Sequence, residues 1–190
     1  MPSAAYRRWV TVRAAALDEV EAAHAAVAAA GRGGFVTRQV NHAYAMLLSS
    51  EFQGFCKDLH RECVDHVVAA IPPGVQDITQ AQFLLNRLLD RGNPNAGNIG
   101  ADFGRFGIKF WDKVRAVDSR ASDWQLQLER LNLWRNAIAH SDYDPAKLGP
   151  TMVLTVAEVR SWRRACHKLA KAFDAAMAAF LGTKVGVTPW

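Results

Sequence analysis

The sequence predicts an all-α fold, an up-and-down bundle of helices with an additional N-terminal helix. Three observations carry the prediction. Apolar residues recur at steps of three and four through several long segments, the spacing of one helix face. Residues 6–30 are rich in alanine, the strongest helix former. No segment shows the apolar–polar alternation of a half-buried strand.

Residues 6–30 form the first predicted helix, its apolar surface broken by Asp18, Glu19 and Glu21. Gly31-Arg32-Gly33-Gly34 ends it. A second, long helix runs from about Arg38 to Ile71, with Val40, Tyr44, Leu47, Phe55, Leu59 and Cys63 at near-helical spacing. Glu51 interrupts this seam, Gly54 marks a close crossing or a bend, and His60 and His66 are expected on its partly exposed surface. Pro72-Pro73-Gly74 stops the helix.

A shorter helix begins at Asp77 or Thr79, with Phe83, Leu84, Leu88 and Leu89 apolar. Residues 92–100 read as a loop rich in Gly and Asn; without Gly-Lys-Ser/Thr or a preceding strand, it is no phosphate cradle. A short helix over about 102–117 interleaves Phe103, Phe106, Phe110 and Trp111 with Arg105, Lys109, Lys113 and Arg115. That pattern suits nucleic-acid stacking, but the simpler and favoured reading is an aromatic core beneath a solvated cationic face. Ser122 caps the next helix, which ends at His140. Thr155 and Glu158 form a capping box for the last helix. Its core stripe is Val159, Trp162, Cys166, Leu169, Phe173 and Phe180, and residues 183–190 follow as a flexible tail.

The chain has 190 residues, half of them hydrophobic and 22% charged, which suits one globular domain with a real core over 1–190. Net charge is +5 and the sequence pI ≈ 9.4, a balance that favours a polyanionic partner. Cys56, Cys63 and Cys166 are too few for a disulfide scaffold and contain no C-x-x-C pair, so neither a zinc site nor any other metal or cofactor is expected. The longest apolar stretch, Ala175 to Leu181, is far short of a membrane span. Arg7 and Arg8 precede no apolar signal region, so the chain is expected to be cytoplasmic.

The chemistry is concentrated in Arg135-Asn136-Ala137-Ile138-Ala139-His140. Trp124, Leu128, Leu131, Arg135 and Ile138 follow steps of four, three, four and three, which sets Arg135 in an apolar stripe. A charge there is costly without a partner, so an anion should meet it; Glu51 is one candidate. Beside the stripe runs a polar row: Gln125, Glu129, Asn132, Asn136 and His140. Asn136 and His140 are four apart and share a side. Taken singly, His140 suits a helix C-terminus and Arg135 suits a structural ion pair. Looser arginine–histidine spacings recur at Arg61–His66 and Arg160–His167, whereas the tight pattern occurs once. Asp142 or Asp144 is placed to steer the His140 tautomer. Arg160, Arg163, Arg164, Lys168 and Lys171 make the last helix basic, a footprint for RNA backbone.

Arg-Asn-x-x-x-His at the end of a late helix resembles the HEPN superfamily, and more narrowly the bacterial ribonucleases of the RiboL-PSP-HEPN type. The segment Arg91-Gly92-Asn93-Pro94-Asn95-Ala96-Gly97-Asn98-Ile99, followed by Phe103 and Phe106-Gly107-Ile108, is similar to a linking segment of such proteins. The resemblance covers residues 35–182. It implies a helical-bundle protomer, a homodimer with a composite active site, and metal-independent cleavage of RNA to 2′,3′-cyclic phosphate ends. Arg135, Asn136 and His140 would be catalytic, with an acidic residue of the long helix, Glu51, in support. It also implies a toxin or antiviral effector held in check by an antitoxin or sensor protein. The alternative is a HEPN-like dimer that binds a protein or nucleic acid without cutting it.

Overall fold

In the computed structural model the structure describes residues 1–31, 34–149, 152–186 and 189–190. These residues are mainly helical, with no strand among them. Arg32 and Gly33 of the expected helix-ending turn lie outside the described residues, as do Val187 and Thr188 of the expected tail.

The helices are α1 (Ala4–Arg8), a π-helical segment (Trp9–Arg13), α2 (Ala14–Ala29), α3 (Phe35–Ala69), α4 (Gln76–Leu84), α5 (Leu88–Arg91), α6 (Ala96–Gly104), α7 (Phe110–Val117), α8 (Ala121–His140), α9 (Pro145–Leu148) and α10 (Val156–Val185). Helices α3, α8 and α10 pack on one another as the centre of the bundle. Helices α1 and α2 lie along α3, and α7 lies against α10.

The core is aromatic. Phe103 stacks on Phe110 at 4.3 Å, Phe110 meets Phe173 edge-on at 4.8 Å, and Trp9 meets Phe52 at 5.7 Å. Burying each such ring stabilises the fold by about 2–3 kcal/mol. Phe103 and Phe110 are therefore core residues, not stacking platforms, and Lys109, Lys113 and Arg115 face solvent. Arg105 is not part of a free cationic face, because it donates to the carbonyls of Gln82, Phe83, Leu85 and Asn86 at 2.7–3.2 Å and so closes the end of α4. The three cysteines are free, buried thiols, and burial pushes all three above the ordinary thiol range.

Several expectations are corrected. The N-terminal helix starts at Ala4, where the Glu62 carboxylate accepts from the Ala4 and Ala5 amides at 2.9 Å each. The expected helix over 102–117 is two. Asn95 caps α6 by accepting from Asn98 N at 2.8 Å, so the helix begins inside the expected loop. Gly107, at φ 75°, breaks the chain before α7. Ser122 does not cap α8; it lies within the first turn, and Arg120 precedes the helix without a side-chain cap.

His60 is fully buried rather than partly exposed, because α6 folds across it. Its ring packs at 5.3 Å from Phe103 and 5.2 Å from Phe106. Nε2 is 3.1 Å from the Asp102 carbonyl, which only accepts, so Nε2 carries the hydrogen. Helix α10 carries the expected capping box, with Glu158 N donating to Thr155 Oγ1 at 3.3 Å and Thr155 N to Glu158 Oε2 at 2.9 Å. It continues to Val185, and Trp190 packs against the core 5.6 Å from the His66 ring, so the expected tail is helical over 183–185 and anchored at its last residue.

Candidate functional site

The polar row of α8 receives the connection between α5 and α6. Glu129 Oε1 accepts from Ala96 N at 2.7 Å, at the start of α6. Asn132 is buried and donates to Pro94 O at 3.2 Å and to Leu128 O at 3.0 Å. One turn later, Asn136 Oδ1 accepts from the Asn93 side chain and, at 3.4 Å, from Arg135 Nη1.

Asn136, Ala137 and His140 line a cleft of about 290 Å³ with Leu133, Asp142, Asp144, Lys147 and Leu148. The exposed imidazole of His140 and the exposed amide of Asn136 thus face a shared space. Arg135 is half-buried beside them.

The end of α8 is a tight C-terminal turn. Ser141 adopts a left-handed conformation at φ 53°, its amide donates to Ile138 O at 3.4 Å, and Asp142 N donates to Ala137 O at 3.0 Å. Tyr143 then stacks on His42 of α3 at 5.9 Å, and Trp134 lies 6.2 Å from the same ring. Burial, aided by the nearby Arg38 charge, lowers the His42 pKa. Asp144 accepts from Ala146 N at 2.9 Å and pairs with Lys147 at 3.3 Å, so it caps α9. Neither Asp142 nor Asp144 hydrogen-bonds His140 among the described residues.

Arg135 has no carboxylate partner among the described residues, and Glu51 is committed elsewhere. Glu51 Oε2 meets Arg13 Nη1 at 2.5 Å, and Asp58 takes Arg13 Nη2 at 2.8 Å. The expected Glu51–Arg135 contact is replaced because Glu51 faces the N-terminal segment, not α8.

The basic face of α10 also divides. Arg163 donates to Asp18 at 2.6 Å, Glu21 at 2.8 Å, Tyr44 Oη at 3.3 Å and Ala14 O at 3.3 Å. Arg160 pairs with Glu21. Burial works to raise the Glu21 pKa, but the bonds from Arg160 and Tyr44 and the charge of Arg163 leave it lowered. These two arginines hold α2 to α10. Arg164, Lys168 and Lys171 are exposed and form no ion pair among the described residues.

The structure sets Asn136 and His140 on one cleft together with Lys147, and joins Arg135 and Asn93 to the Asn136 side chain from outside the cleft's lining. Asn93 arrives by long-range packing, although the Asn-Pro dipeptide at 93–94 is itself a turn signal, whereas Lys147 is carried in by the short loop and helix that follow α8. Among the described residues no group of three or more His, Cys, Asp or Glu side chains is gathered to hold a metal, and no helix is long and apolar enough to cross a membrane. No family model, curated protein or solved structure matches the chain.

Proposed function

We propose that the chain is a metal-independent endoribonuclease of the HEPN type. The observation that supports this reading most is the grouping on the last turns of α8. A half-buried arginine without a carboxylate partner among the described residues adjoins an amide, and that amide and an imidazole open on one cleft. Such a site accepts an anion, and RNA supplies a phosphodiester beside a nucleophilic 2′-hydroxyl.

In the proposed reaction one His140 takes the 2′-hydroxyl proton, and the 2′-oxygen attacks phosphorus. The bond from phosphorus to the 5′-oxygen breaks, and a second, protonated His140 delivers its proton to that oxygen. The products are a 2′,3′-cyclic phosphate and a 5′-hydroxyl. Each protomer has one motif histidine, so a two-fold dimer would supply both roles. Arg135 would stabilise the charge that builds on the phosphoryl oxygens, and Asn136 would donate to one of them. Exposed Arg164 and Lys168 would attract the RNA backbone. The biological role consistent with this chemistry is a cytoplasmic toxin or antiviral effector restrained by an antitoxin or sensor protein.

The test is digestion of RNA by the purified protein in excess EDTA, with His140→Ala and Arg135→Ala in parallel. Cleavage by the parent, with a loss of at least about 100-fold in each variant, is expected. Equal cutting by parent and both variants would remove the site assignment. Loss of parent activity in EDTA and its return with magnesium would remove the metal-independent mechanism.

A further inference from the structure

Asn93 belongs to the connection before α6, yet its side chain ends on Asn136. The Asn136 oxygen is met from two directions, by Asn93 Nδ2 and by Arg135 Nη1. Oxygen and nitrogen of a carboxamide are hard to tell apart by shape, but a guanidinium contains donors only. The atom that faces Arg135 is therefore the oxygen. With Oδ1 occupied, Nδ2 of Asn136 is left with its hydrogens to offer.

The connection is built to hold this arrangement. Three side-chain amides from three helices grip its backbone: Gln53 donates to Gly92 O at 2.9 Å, Asn98 to Asn93 O at 2.8 Å, and Asn132 to Pro94 O at 3.2 Å. Pro94 is buried and has a fixed φ. A β-carbon on residue 92 would lie 2.7 Å from Asn98 Nδ2, so a larger residue there would push the Asn98 amide off its bond to Asn93 O. A loop held by so many bonds does more than connect α5 to α6; it delivers one donor to one acceptor.

We infer that Asn93 is a positioning residue that orients the Asn136 carboxamide so that its N–H, not its oxygen, faces a phosphate oxygen in the cleft shared with His140. Turned the other way, Asn136 would present a lone pair to an anion and repel it. The identity of that anion as an RNA phosphodiester rests on the ribonuclease reading, whereas the orientation of the amide does not.

The decisive variant is Asn93→Asp, nearly the same shape but an acceptor only. Asn136 must then turn its nitrogen toward residue 93 and its oxygen into the cleft. The side-chain amide NMR signals of Asn136, assigned by their loss in Asn136→Asp, are followed during titration with inorganic phosphate. In the parent they should shift saturably; in Asn93→Asp the response should vanish; in Asn93→Ala phosphate binding should weaken about tenfold. In RNA cleavage, Asn93→Ala should cost about tenfold in kcat/KM, and no more than a small further loss when added to Asn136→Ala. Unmoved Asn136 signals in the parent, or an unchanged response in Asn93→Asp, would overturn the inference. Should Asn93→Asp fail to fold, Asn93→Ala decides in its place, and unweakened phosphate binding there is equally fatal. A parent that shows the phosphate response but never cuts RNA would sink the nuclease reading and leave the orientation standing. A parent that cuts RNA as well with Asn93→Ala as without it would do the reverse.

Discussion

The guanidinium of Arg13 occupies the space that a β-carbon on residue 54 would fill. Its Cζ and Nη2 would each lie 2.7 Å from that carbon. The tip of an arginine can usually swing aside, but Glu51 and Asp58 pin this one from both sides. Gly54 is thus the notch in α3 into which the π-helical segment fits its last residue.

Gly54→Ala should therefore destabilise the protein by about 2 kcal/mol in urea unfolding, through overpacking. In an Arg13→Ala background the same change should be neutral or stabilising by up to about 1 kcal/mol, because alanine outranks glycine inside a helix. A cost that persists without Arg13 would show that something else fills the notch.

His60 makes the fold sensitive to acid. Burial, with help from the nearby Arg87 charge, lowers its pKa from the usual value to about 4, against opposing pulls from the Asp102 carbonyl and carboxylate. Between pH 6.5 and about 4 the unfolded chain binds a proton here that the folded chain refuses. The contribution is fully present above pH 6.5 and is lost as pH falls to about 4, by an amount on the order of 3 kcal/mol. His60→Gln, which retains a donor for Asp102 O, should remove this part of the pH dependence of Tm. An unchanged acid limb would show that His60 does not resist protonation.

The two classes of cation on α10 should separate by experiment. Arg163→Ala removes its bonds to Asp18, to Glu21, which keeps those from Arg160 and Tyr44, and to the Ala14 carbonyl, and should cost about 2 kcal/mol of stability. Arg164→Ala and Lys168→Ala should leave the unfolding midpoint in place. If RNA binds this face, each should instead lower the salt slope of binding by about 1. Equal stability losses across all three would mean that exposure is a poor guide to their roles.

What could be read from the residues follows from the range of each interaction. The Thr155–Glu158 box and the Val159-to-Phe173 stripe involve neighbours within a few turns, so local spacing reveals them. The same holds for Asn136 and His140, one turn apart on a helix whose course is clear. Glu51 reads as a partner for Arg135 because both interrupt apolar stripes. Its actual partner is set by a π-helical segment, which has no compositional mark. His60 looks like a surface residue until α6, which starts at an Asn cap inside a Gly-rich stretch, lies over it. Arg160 and Arg163 are ordinary members of a basic face until α2 brings Asp18 and Glu21 alongside. The bond from Asn93 to Asn136 is invisible locally for the same reason: its acceptor is 43 residues away.

The deep placement of Cys56, Cys63 and Cys166 gives the molecule a built-in reporter. A sulfur that is both sealed off and reluctant to ionise reacts with alkylating agents only when the bundle comes apart. The speed at which such a reagent marks these three atoms therefore tracks how often α3 and α10 part company, without any engineered probe.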